Sequence, residues 1–113
     1  MPTLYKIVLD ALWREAECEG SFRGSPVDLK DGFIHFSTAG QVAETAAKHF
    51  AGQHDLLLVR VDAASLGSQL TWELARGGAL FPHLYAPLDV SLALQVDPLP
   101  FEGGRHRFPD LDP

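Results

Sequence analysis

At 113 residues the chain is long enough for one domain with one buried core. An apolar fraction of 46% excludes intrinsic disorder, and the single cysteine, Cys18, excludes an internal disulfide and any Cys-x-x-Cys metal pattern. A formal charge of −6 argues against a broad nucleic-acid surface, because such affinity comes from Lys and Arg neutralising phosphates.

Thr3 to Leu9 reads as a first strand, with Leu4, Ile7, Val8 and Leu9 apolar. Asp10 is placed to cap a helix over Ala11 to Glu19, whose apolar face is Leu12, Trp13 and Ala16 and whose terminator is Gly20. The turn-rich Ser21 to Asp31 reads as a surface loop, and Gly32 to Ser37 as a second strand. Thr38-Ala39-Gly40-Gln41 has the spacing of a capping box, with the Thr38 hydroxyl as the cap. Val42, Ala46 and Phe50 then recur every four residues down a second helix that ends at Gly52.

Leu56 to Val61 is a strand apolar enough to be buried on both faces. After a turn over Ala63 to Gly67, Gln69 to Leu74 alternates, with Leu70, Trp72 and Leu74 inward and Thr71 and Glu73 outward. Arg76-Gly77-Gly78 reads as a flexible connection. Pro82 and Pro87 bracket a segment that excludes an ordinary helix or central strand, so an irregular or edge segment is expected there. Asp89 to Val96 reads as a last strand. The expected organisation is one α+β domain over residues 1–97, with small, mostly antiparallel sheets and two helices. A Pro/Gly-rich arm over 98–113 follows it, with Arg105-His106-Arg107 solvated.

No run approaches the roughly 18 apolar residues of a membrane span, and Met1 to Lys6 lacks the apolar stretch of a signal peptide. The expectation is a soluble cytoplasmic protein with no membrane partner.

The chemistry-bearing residues are few. His35 sits inside the apolar run Phe33-Ile34-His35-Phe36, where an imidazole without partners costs roughly 1–3 kcal/mol per unsatisfied group. By alternation it shares a side with Phe33 and Ser37. It serves either a ligand in a cleft or a neighbouring strand. Ser37 and Thr38 lead into a helix start whose free N–H groups suit an anion. No Gly-x-Ser-x-Gly motif supports Ser37 as a nucleophile. Glu73 is either a solvated strand residue or a carboxylate aimed at the cleft of His35. His83 and Tyr85, two residues apart, fall on one side of an extended segment; Tyr85 also suits a core position beside Leu84 and Leu88. His35, His49, His54 and His83 show no His-x-x-x-His spacing, and no metal site is expected.

Tyr5-Lys6-Ile7, Asp31 to Thr38 leading into Gln41-Val42, Asp55-Leu56, Trp72-Glu73 and Phe81 to Leu88 occur together and in order. With these motifs the chain resembles the bacterial domain-of-unknown-function family nine-five-two from about Leu4 to Leu99. Ala86 stands where that family's pattern has glycine. The family is similar in fold to ADP-ribosyltransferases and RNA 2′-phosphotransferases. The resemblance implies an ADP-ribosyltransferase-like α+β domain with a cleft between split sheets that takes NAD or another phosphorylated nucleotide. It implies that Phe33 to Thr38 forms the hydroxyl-bearing strand and that Glu73 is the acid acting on the ribose. Lys6 stands at the first-strand position that carries His or Arg in those enzymes; it supplies charge but not a planar fork. On this reading Glu73, His35 and His83 carry the chemistry and Lys6, Ser37, Thr38 and Tyr85 bind the ligand. The alternative from a different class is a non-catalytic domain that binds a small anion or serves as an interaction module.

Overall fold

A computed structural model describes residues 2–75 and 77–113. Met1 and Arg76 lie outside the described residues, and with Arg76 goes one third of the expected Arg76-Gly77-Gly78 connection. The architecture is α+β, built of small antiparallel sheets. The larger has four strands in the order β4-β1-β5-β9, from Ser37–Thr38 (β4), Thr3–Leu9 (β1), Leu56–Asp62 (β5) and Gln95–Pro98 (β9). A second has three, in the order β3-β7-β6, from Ile34–His35 (β3), Leu80–Leu84 (β7) and Leu70–Leu74 (β6). Two-residue pairings join β2 (Ser21–Phe22) to β8 (Leu88–Asp89), and β10 (Phe101–Glu102) to β11 (Arg105–His106).

β1 and β5 pair along their whole length, Thr3 opposite Asp62 through Leu9 opposite Leu56. Both are covered on both faces, as the unbroken apolar run in β5 requires. On one face Leu4, Val8, Leu57, Val59 and Val61 meet Trp13 and Ala16 of the helix α1 (Asp10–Glu19), together with Ile34, Phe36 and Leu84. On the other, Tyr5, Ile7 and Leu58 meet Val42 and Ala46 of α3 (Val42–His49) and Leu99. Gly20 ends α1 at φ 85°, a left-handed conformation that costs glycine nothing, and its N–H donates to the Ala16 carbonyl.

The structure departs from the sequence reading in several places. Among the described residues there are three α-helices, not two. Residues read as loop contain α2 (Pro26–Asp31), entered from Ser25 with Pro26 in its first turn and Asp28 reaching back to the Ser25 N–H at 2.8 Å. The N-cap of α1 is Leu9, and Asp10 is already helical. Thr38 does not cap α3. The helix starts at Val42, and the contact is the reverse half of the box, the Gln41 side chain accepting from the Thr38 N–H at 3.1 Å.

The Phe81 to Leu84 stretch is the middle strand of its sheet despite Pro82. The ladder to β3 ends just there. Pro82 contributes only its carbonyl, which accepts from the Phe36 N–H at 3.0 Å, and Phe36 then leaves for the other sheet. Asp89 to Val96 is broken by a single turn of 3₁₀ helix at Val90–Leu92. Residues 98–113 fold back on the four-stranded sheet: Leu99 and His106 are buried, and Phe108 and Leu111 pack against the face that carries Tyr5, Ile7 and Leu58. Among the described residues no helix is long and apolar enough to cross a membrane.

Candidate functional site

The three-stranded sheet sets the site. His35 lies opposite His83, and His83 opposite Thr71, so alternation puts Phe33, His35, His83, Tyr85, Thr71 and Glu73 on one face. Phe33 stacks on the His83 ring with centroids 4.0 Å apart and touches the rings of His35 at 4.6 Å and Tyr85 at 5.2 Å. Glu73 gathers the far end: its Oε1 accepts from the Tyr85 hydroxyl at 2.7 Å and pairs with His83 Nδ1 at 2.8 Å. The hydrogen bond from Tyr85, then that from His83, holds the Glu73 carboxyl below the usual carboxylate range, against a smaller opposing effect of burial. The same bond pushes the Tyr85 phenol up. Glu73 is therefore a carboxylate at neutral pH and has no proton to give. Its side chain is 37% exposed, so the cluster opens to water.

The near end is anchored by Asp28, which is buried to 1%. Oδ1 of Asp28 takes the Lys6 ammonium at 3.0 Å, the His35 N–H at 3.1 Å and His35 Nδ1 at 2.6 Å. Its other oxygen takes Lys6 at 2.8 Å as well as the Ser25 N–H. Burial on its own raises the Asp28 pKa. The hydrogen bond from His35, with the charge and hydrogen bond of Lys6, outweighs it and brings the value down to about 2. Burial also pulls Lys6 below its usual range, with Asp28 opposing. The other nitrogen of His35 faces Asp31 at 3.0 Å, so a ring carrying both protons satisfies both carboxylates.

A groove of about 260 Å³ adjoins this face, bounded by Arg23, Asp28, Phe33, Tyr85 and Pro87. It offers an aromatic wall and, in Arg23, an exposed guanidinium.

Of the residues singled out from sequence, the fold brings together His35, Glu73, His83 and Tyr85. Lys6 reaches them only through Asp28, and its ammonium is buried. Ser37 and Thr38 sit on the four-stranded sheet, paired with Tyr5 and Leu4. The Ser37 hydroxyl is buried and bonded to that of Thr45 at 3.0 Å. Arg23, Asp28, Asp31 and Phe33 were missed. A signal for Asp28 existed: Ser25-Pro26-Val27-Asp28 has the spacing of a helix entry. Phe33 shares the alternation of His35, but its stacking on His83 depends on a strand pairing that no local pattern encodes. Among the described residues no three His, Cys, Asp or Glu side chains are placed to hold a metal ion.

A family profile described as a protein of unknown function (DUF952) matches residues 7–96. No curated protein matches. The chain is similar to protein CC0527 of Caulobacter crescentus, whose crystal structure is 49% identical with a TM-score of 0.90 over 93% of each chain. The solution structure of the same protein gives a TM-score of 0.84 at 49% identity, over 94% of this chain and 91% of that one. With the profile spanning most of its length and this likeness across nearly all of it, the chain belongs to the DUF952 family of proteins of unknown function.

Proposed function

We propose that the open face of the three-stranded sheet binds a small phosphorylated nucleotide such as NAD, in the manner that the chain's resemblance to ADP-ribosyltransferase-like domains implies. The observation that carries this is Glu73, a partly exposed carboxylate kept ionised by Tyr85 and His83 beside the stacked rings of Phe33 and His83. A flat base or nicotinamide ring suits the Phe33–Tyr85 wall. A phosphate suits Arg23, whose guanidinium matches phosphate oxygens in a bidentate way. As nicotinamide leaves NAD, positive charge develops on the ribose, and a fixed anion at Glu73 lowers the energy of that state. Water then adds to the ribose carbon and releases a proton, giving ADP-ribose.

Thermal shift with NAD, ADP-ribose and AMP tests the binding; a ligand at 100 times its Kd adds about 2.7 kcal/mol of stability. No shift with any of them ends the reading. Nicotinamide release measured on the chain and on Glu73→Gln then tests turnover, which the variant is expected to lose by at least about a hundredfold.

A second reading, binding without turnover, rests on how completely these groups satisfy one another. Glu73 is already engaged by two donors, and both nitrogens of His35 face carboxylates. It is the outcome if a thermal shift appears and nicotinamide release does not.

A further inference from the structure

A second cavity lies away from this chemistry, on the opposite face of the four-stranded sheet from Lys6. It is a groove of about 500 Å³ between α3 and the β10–β11 hairpin, within the 300–1,000 Å³ span usual for small-molecule sites. Ala43, Ala46 and Ala47 form its floor; Phe101 and Phe108 give it aromatic walls. The Phe101 ring is fixed edge-on against His106 at 4.8 Å and His54 at 5.7 Å. His106 is buried and donates from Nε2 to the Gln53 carbonyl at 3.2 Å, which pins the hairpin to the end of α3.

The charge along this groove runs against that of the chain. Arg105 and Arg107 both line it and both are exposed. Among the described residues the long-chain cations engaged in ion pairs are Lys6, Arg14, Lys48 and Arg60, not these two. In a chain with fifteen acidic residues against nine basic ones, two neighbouring guanidiniums without carboxylates are a local positive site. Arginine forks match carboxylate and phosphate oxygens alike.

We propose that the groove between α3 and the β10–β11 hairpin binds a small organic oxyanion, a carboxylate or phosphate carried on a flat apolar body. Arg105 and Arg107 hold the anion, and Phe101 and Phe108 hold the body. The site is independent of the nucleotide reading above.

The test is an NMR titration of the full chain with phenyl phosphate and with benzoate, using inorganic phosphate and phenol as half-ligand controls. Saturable shifts are expected at the amides of Ala47, Arg105 and Arg107 with at least one aryl anion, and the better of the two identifies the anion. Each half-ligand should bind at least about tenfold more weakly, since it forfeits either the charge-assisted bonds or the apolar contact. The double variant Arg105→Ala/Arg107→Ala should weaken binding by about tenfold or more. Ala47→Leu, an exposed helix position that keeps its helical propensity, should block the groove. Glu73→Gln should leave binding unchanged. The proposal is overturned if neither aryl anion gives saturable shifts, or if inorganic phosphate alone reproduces them. It is also overturned if binding survives both the double arginine variant and Ala47→Leu.

Discussion

Asp28 is the residue on which the site's near end depends, because it is the shared acceptor for a buried ammonium, an imidazole and two backbone N–H groups. Asp28→Ala strands the Lys6 charge inside the protein, and removing one partner of a buried pair typically costs about 3–5 kcal/mol. Urea unfolding should show that loss; a change below about 1 kcal/mol would mean that Lys6 escapes to water. At the far end Tyr85→Phe removes the largest influence lowering Glu73. The Glu73 carboxyl should then titrate closer to its ordinary range in a carbon-detected NMR titration, with His83 still holding it partly down. The residue scale was also where the sequence was most readable for chemistry. His35, Glu73, His83 and Tyr85 stand out as polar groups in apolar or proline-bracketed runs, and alternation alone paired His83 with Tyr85. Asp28 did not stand out, because an aspartate in a polar, turn-rich stretch looks like any solvated one until its burial is known.

Among the elements, those with long periodic patterns were legible: β1, α1, α3 and β5 fall close to where spacing puts them. The short ones were not. A helix of the length of α2 spans too few turns for a stripe to emerge, so its entry and exit residues are all that marks it. Gly32 is its exit, at φ 88° with open space where a Cβ would sit. Gly32→Ala is therefore expected to cost about 1–2 kcal/mol through backbone strain alone, read as a lower urea midpoint. The alternation of β6 was also correct, yet its inward face was not. Leu70, Trp72 and Leu74 do share a side, but β6 runs beyond the core, leaving Trp72 38% and Leu74 73% exposed. Alternation reports which residues share a face; where the core ends is set by the rest of the fold. Pro82 misled for a related reason. A proline is excluded from a central strand where the strand on its N–H side needs that donor; this side of Pro82 faces β3, and the β3 ladder stops beside it.

At the scale of the whole molecule, acid tests the buried pair. Asp28 has a folded pKa of about 2, below the ordinary 3.8, so the stability it contributes is fully present above about pH 4 and is lost as pH falls through about 2. The drop attributable to Asp28 is about 2 kcal/mol. Urea midpoints across that window should fall more steeply for the parent than for Asp28→Asn. A second molecular feature is the way residues 98–113 close over the sheet. The Arg60 guanidinium takes Asp112 at 2.8 Å and the Asp110 carbonyl at 2.6 Å, the Tyr5 hydroxyl exchanges hydrogen bonds with the backbone of Asp112, and the Thr3 N–H donates to the Pro113 carbonyl at 3.3 Å. That stitching makes the polypeptide nearly a ring. A rewired version, with residues 113 and 2 joined by a few glycines and serines and new ends cut between the exposed Ala51 and Gly52, should fold with stability within about 1 kcal/mol of the parent.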